Sequence, residues 1–547
     1  MSAHHPAGGK GAAATQPPAA GPLPTGGPAA PTPAAPTAPT TTGTGAGPVL
    51  PAAVPWPRTS GDPAGDHRPG HGTPGGQDGP DGRDGDRDGG PAGRSAALLR
   101  RLSARGPLLL SLGLFLAYAT LSVLRYRRME TLSWDLGIFE QAIRAYAHLQ
   151  APVADLKGPG THILGDHFSP ITALIAPFYR LFPTPVTLLV AQAVLFALSA
   201  LPVSRAAVRL LGRGRGLAVG LAYGLSWGVQ KAVDFDFHEI CFAVALLAFS
   251  LEALLAGRHR AALWWALPLV LVKEDLGVTL AAVALVVALR ARRNDPRTAR
   301  LALATAFFGL LAALVIFSLV IPAFNTAGDY DYWTKLDGPG PLDGWDTKFR
   351  TLLWILLPTT GLLALRSPLL LVALPTVGWR FLSGDDHYWG TDWHYSAVLM
   401  PVLALALVDA VDRARRSPRP WLRSSAQQAP AAVAAAALAL TPSLPLAALT
   451  EGRTYEKSAR VTEVEALLAR IPDGASVEAD VGPIARLTSR CRVFWIGGTK
   501  GVVPDWIAVD NSSGWIPDPR EYARQLHPDA SFVPAGAAHG FVLMKRT

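Results

Sequence analysis

Apolar blocks, each roughly 15 to 20 residues long, recur from about residue 107 to residue 449, and no other feature constrains the fold as much. That length matches a hydrocarbon core of about 30 Å. A soluble core would instead show short alternating or helically periodic runs. Only 17% of the chain is charged, against about 25% for an ordinary soluble chain. The formal charge of +9 invites a nucleic-acid reading. However, the arginines stand at the ends of apolar blocks, where they read as topology determinants, so nucleic acid is excluded as a partner.

The blocks cover about 107–124, 186–204, 216–233, 239–256, 260–272, 276–290, 301–322, 349–366, 368–382, 395–411 and 428–449. The expected fold is therefore an α-helical polytopic membrane protein with about eleven transmembrane helices. SPITALIAPFYRLFP (169–183) is apolar but short and broken by prolines, so it reads as interfacial or re-entrant, or as a short extra span. Residues 1–95 are rich in Pro, Gly, Ala and Thr and then in Asp, Gly and Arg, with almost no large apolar side chain. Such a segment cannot offset its ordering entropy and is expected to be a disordered cytoplasmic tail. No cleavable signal is visible, so the first span is expected to act as its own insertion signal. The two cysteines, Cys241 and Cys491, predict neither a disulfide nor a thiolate metal site.

The connecting loops fall into two sets. One is basic: 205–216, 256–260, 290–300 and 412–423. The other is acidic, aromatic and His-bearing: 129–168, DFDFHE (234–239), KED (273–275), 323–348 and SGDDHYWGTDWH (383–394). With the N-terminus inside, strict alternation puts every basic loop inside and every acidic loop outside. KED supports the count. A single helix over 260–290 would place one basic flank outside, whereas a break at Lys273, Glu274 and Asp275 keeps both inside and spares the bilayer centre three charges.

Residues 450–547 follow the last span. They carry strand-like runs (ASVEA, CRVFWI, DWIAVD, SFVPA, GFVLMK) between helical stretches, which predicts a small extracytoplasmic α/β domain. The region has no GxGxxG and no P-loop, so nucleotide binding finds no support. The expected division is thus tail 1–95, membrane domain 96–449 with a first outer loop over 125–185, and outer domain 450–547.

Candidate site residues lie in the acidic loops. Residues 134–150 form an amphipathic stretch expected to lie along the membrane surface. Asp135 at its N-terminal end reads either as a helix cap or as a carboxylate at a cavity mouth. Asp166 and His167 are adjacent in the same loop. Asp236, His238 and Glu239 interleave with phenylalanines and are chemically suited to a divalent cation, the one cofactor considered, though their spacing is not diagnostic. Lys273 suits a phosphate, or an ion pair with Glu274 or Asp275. His394 and Tyr395 close an aromatic run whose Trp389 and Trp393 fit an interfacial belt, a sugar ring or a lipid chain.

The runs METLSWDLGIFEQAI, GDHFSPITALIAPFYRLFP, FDFHE, LVKEDLGVTLA and HYSAVLMP, in that order, resemble the bacterial membrane proteins called domain of unknown function 2079. The likeness spans about 120–410 and extends to the C-terminal region. That family is similar to the glycosyltransferase C superfamily, multi-spanning enzymes that use a polyprenyl-phosphate sugar. The resemblance implies an inverting transfer to an envelope acceptor on the outer face of the cytoplasmic membrane. It also implies Asp135 as general base, Asp166 and His167 near the donor phosphate or acceptor, and Lys273 facing the leaving phosphate, with Glu274, Asp275, His394 and Tyr395 lining the cavity. One departure stands out: Leu136 follows Asp135, where many such enzymes carry a second acid. The competing classes are a transporter or flippase of lipid-linked or polar solutes, and a non-catalytic envelope scaffold. The missing internal repeat and the one-sided acids favour the enzyme. Sugar, acceptor and oligomeric state are not legible.

Overall fold

The computed structural model describes residues 105–131, 135–325, 340 and 342–547. The N-terminal tail and most of the segment 323–348 lie outside the described residues.

Thirteen helices of the membrane region, in chain order, position the site. They are α1 (Gly106–Arg127), α2 (Asp135–Ala147), α3 (Pro185–Leu211), α4 (Arg213–Gly224), α5 (Trp227–Asp234), α6 (Ile240–Leu255), α7 (His259–Ala266), α8 (Leu276–Ala291), α9 (Pro296–Phe324), α10 (Trp345–Thr360), α11 (Pro368–Leu382), α12 (Leu399–Ala414) and α13 (Pro420–Leu440). Among the described residues, four stretches have the length and apolarity to cross a membrane unaided: α1, α3, α9 and His394–Ala414, which contains α12. α6, α8 and α11 are apolar but shorter. The chain leaves helical structure at Lys273, and α8 starts just after Asp275. Between α2 and α3, Pro170–Ile175 forms 3-10 turns and Ala176–Leu181 a short helix. Leu174, Phe178, Leu181 and Phe182 there are exposed, as suits an interfacial segment.

Small residues and polar side chains bring the helices together. A Cβ on Gly277 of α8 would collide with the carbonyl oxygen of Gly309 on α9, and the reverse also holds, so these backbones touch. Gly224 is similarly filled by Leu114 of α1. Ser111 Oγ donates to the Ala197 carbonyl and Tyr118 OH to that of Gly224, each at 2.5 Å, giving hydrogen bonds where water is scarce.

The basic loops converge. Glu252, near the end of α6, is met by Arg205, Arg209 and Arg258 at 3.5, 3.1 and 2.7 Å. Asp409, near the end of α12, is met by Arg290 and Arg413 at 2.9 and 3.1 Å and by the Ser367 hydroxyl at 2.6 Å. α6, α8 and α12 therefore all finish among these arginines. All three also begin beside the acidic and His-bearing segments.

The C-terminal region folds as α14 (Ala459–Leu468), β1 (Ser476–Ala479), α15 (Val481–Leu487), β2 (Arg492–Trp495), β3 (Trp506–Asp510), α16 (Pro519–Leu526), β4 (Phe532–Ala538) and β5 (Phe541–Arg546). Its sheet has the order β2-β1-β3-β5-β4. The first three strands are parallel, and β5 runs antiparallel to both β3 and β4.

This sheet shares a core with the first loop. Ile138, Ala142, Leu156 and Ile163 pack with Ile484, Leu487 and Val493, while Leu136, Phe139 and Ile143 of the same α2 pack into the membrane helices. The amphipathic stretch thus buries two faces rather than lying along a surface with one. Its polar residues serve the contact with the sheet. Gln141 Nε2 donates to the Val493 carbonyl at 2.8 Å, and Arg144 donates to the Thr488 and Cys491 carbonyls at 2.7 and 3.0 Å. Arg492 grips Asp155 through two bonds of 2.8 and 2.9 Å.

Candidate functional site

A cavity of about 530 Å³ opens at the starts of α2, α6 and α8, and its far wall is the segment from α11 to α12. That volume falls in the range of small-ligand pockets, roughly 300–1,000 Å³. Asp135, His167, His238, Lys273, Glu274, Asp275, His394 and Tyr395 line it, so five separate stretches of sequence meet in one place. Ile240, Leu276, Val278, Phe317 and Val398 supply an apolar side.

Three further candidates stand behind this lining. Asp166 bonds the His167 Nδ1 and lies 3.2 Å from the Lys157 ammonium. Burial pushes the Asp166 carboxyl up, but His167 and Lys157 more than offset this and hold it well below the usual carboxylate range. The carboxylate therefore fixes the imidazole at the cavity wall. Glu239, fully buried, lies 3.0 Å from Lys273 Nζ and 2.8 Å from His238 Nδ1. Lys273 is also 3.6 Å from Glu274. Asp236 is buried in a left-handed turn (φ 71°), and its carbonyl accepts a bond from the Gln192 amide.

Asp236, His238 and Glu239, the residues considered for a divalent cation, follow one another closely, and Glu239 is engaged by His238 and Lys273. Among the described residues, the ligand atoms that all approach within 4.8 Å of one another belong to Asp385, Asp386 and His387, a mostly exposed group held by its own His387–Asp385 bond. At Glu239 the ammonium of Lys273 already supplies the positive charge.

Aromatic rings hold the site together. His238 and His394 stack at 3.8 Å between centroids, and Phe139 of α2 presents its edge to His167 and His238 at 5.9 and 5.6 Å. Trp389 is not part of an interfacial belt. It is buried, bonds the Ser383 carbonyl through Nε1 at 2.8 Å and carries Lys348 over its ring at 4.0 Å.

Sequence reasoning passed over Lys157, Trp379, Tyr388 and Arg380. Lys157 was legible as the cation directly before the GPG turn of an acidic loop. Arg380 was legible as a lone charge in an apolar block. It is fully buried and clamps the wall by donating to the Tyr388 and Gly390 carbonyls at 2.9 and 2.7 Å and to Ser396 Oγ at 3.0 Å.

A family model described as "Predicted membrane protein (DUF2079)" matches residues 125–338 and 339–530. Among solved structures, ArnT from Cupriavidus metallidurans bound to undecaprenyl phosphate is 14% identical, with a TM-score of 0.51 over 81% of this chain and 98% of that one. The apo ArnT of the same organism is also 14% identical over the same shares, with a TM-score of 0.48. No curated protein matches the chain. At this identity the likeness to the lipid-bound ArnT is one of fold.

Proposed function

The chain belongs to this family of predicted membrane proteins, and from that premise we propose that it is a membrane glycosyltransferase. It moves a sugar from a polyprenyl-phosphate donor to an envelope acceptor on the outer face of the cytoplasmic membrane, with inversion. The observation that carries this reading is the composition of the cavity described above. It combines a carboxylate (Asp135), two ammonium groups (Lys157 and Lys273) and an apolar side, which are the parts needed for an acceptor, a phosphate and a lipid chain. The glycosyltransferase C resemblance of the sequence and the fold shared with ArnT, seen there with undecaprenyl phosphate, support it.

In the proposed step the acceptor O–H (or N–H) attacks the anomeric carbon and gives its proton to Asp135. The bond from that carbon to the phosphate oxygen breaks, and polyprenyl phosphate leaves with the electron pair. Lys273 and Lys157 face the charge that grows on the leaving phosphate. His167, fixed by Asp166, orients the phosphate or the acceptor.

The test is transfer of a labelled sugar from undecaprenyl-phosphate-linked donors by membranes carrying the protein. Asp135→Asn should lower the rate by about 10²- to 10⁴-fold, the usual worth of a positioned base, without changing the melting temperature. Unchanged transfer would rule out Asp135 as the base.

A further inference from the structure

Trp379 Nε1, Asp275 Oδ1 and His394 Nδ1 are among the buried polar atoms on residues lining the cavity that make no hydrogen bond within the described residues. They come from the end of α11, the start of α8 and the segment before α12. Their chemistry differs in a useful way. The indole N–H only donates, the carboxylate oxygen accepts, and a ring nitrogen does either according to tautomer. Buried polar groups are almost always satisfied, so these atoms beside one cavity mark the place of a ligand with both donors and acceptors.

The parts of the proposed donor can be compared with this set. A polyprenyl chain has no hydrogen-bonding atoms. A phosphodiester has acceptors alone. Sugar hydroxyls both donate and accept. The neighbouring rings suit a sugar as well. Tyr388 and Tyr395 line the cavity, and Trp379 stands edge-on to both, at 5.1 Å and 74° and at 6.2 Å and 90°. Arg380, the next residue along α11, anchors the segment that carries His394 and Tyr395.

We infer that Trp379, Asp275 and His394 form the subsite that reads the hydroxyls of the donor sugar, separate from the lysines that face its phosphate. This rests on the transferase reading. It further assigns Trp379 and Asp275 to the choice of sugar rather than to the displacement itself.

The experiment compares binding of undecaprenyl phosphate with binding of undecaprenyl-phosphate glucose, mannose and galactose to the purified full chain, without acceptor. The wild type should prefer at least one sugar-bearing lipid to the bare lipid. Trp379→Phe should reduce that preference by about three- to tenfold, and Asp275→Asn by about ten- to hundredfold. The bare-lipid arm for Trp379→Phe should be unchanged, which also shows the variant is folded. A preference unaltered in both variants, or equal losses in both arms, would overturn the subsite. If sugar recognition changed only when an acceptor sugar was titrated in place of the donor, the donor assignment would be wrong. A wild type that fails to bind undecaprenyl phosphate at all would overturn the transferase reading, and the subsite with it.

Discussion

The two ends of α6, α8 and α12 are built from the same residue types and used in opposite ways. At their C-terminal ends the acids are saturated: Glu252 meets three arginines, and Asp409 meets two arginines and a serine. At their N-terminal ends, acids, histidines and lysines are distributed around a cavity, and some of its lining residues carry buried polar atoms that make no hydrogen bond within the described residues. The first arrangement is an ionic clip that ties loops 205–216, 256–260, 290–300 and 412–423 into one layer. The second holds groups ready for a ligand. Charge count alone therefore does not locate function; what matters is whether the charges surround a cavity or only one another.

Substitutions at the two ends should separate these roles. The largest effect is expected at Lys273. Lys273→Met should lower transfer by about 10²- to 10³-fold, since the growing phosphate charge loses a facing cation. It should also lower stability, because buried Glu239 loses the ammonium beside it. Rates per folded molecule, measured beside melting curves, distinguish the two losses. A variant that melts lower but transfers normally would make Lys273 a clip residue too.

Glu252→Gln should give the converse. It removes the anion that three arginines share and should cost about 1–3 kcal/mol of stability, read as a lower melting temperature. Transfer per folded molecule should stay within twofold. A large loss of rate would show that the clip end takes part in the reaction.

The smallest effect expected is a pH dependence where the sheet docks on α2. Glu140 of α2 is buried there and accepts from the Tyr179 hydroxyl at 2.9 Å and from Thr488, with no guanidinium bound to it. Burial, only partly offset by those bonds and by Arg144, pushes its carboxyl up to about 7. A carboxyl raised on folding favours the folded state while protonated. That contribution is full below about 4.5 and is lost as pH climbs through about 7. The melting temperature should therefore fall by a few degrees across that window, and Glu140→Gln should flatten the profile. A wild-type profile already flat there would mean that Glu140 is ionised in its contact.

Much of this contrast was legible in the sequence. The alternation of basic and acidic loops separates the two ends, and the apolar blocks give the helices their places. Asp135, His167, Lys273 and His394 were readable because polar residues at membrane edges need a reason to be there. What failed to show has physical causes. Periodicity reveals the apolar face of α2 but not the second face, where Gln141 and Arg144 meet backbone carbonyls of the sheet. Spacing placed Asp236 beside His238, yet its left-handed φ turns the chain there. Lys157 and Trp379 come from segments far apart in sequence, and only the packing of the first loop and α11 around α8 brings them to one cavity.

The most direct test is to locate undecaprenyl phosphate bound to the full chain by cryo-electron microscopy. Electrostatics summed over whole loops would send an anionic lipid to the arginine-rich end. Because Lys157 and Lys273 line the cavity and those arginines do not, the phosphate is predicted to lie between the two lysines, with the chain along Ile240, Val278 and Phe317. A phosphate found among Arg205, Arg209 and Arg413 instead would contradict the account.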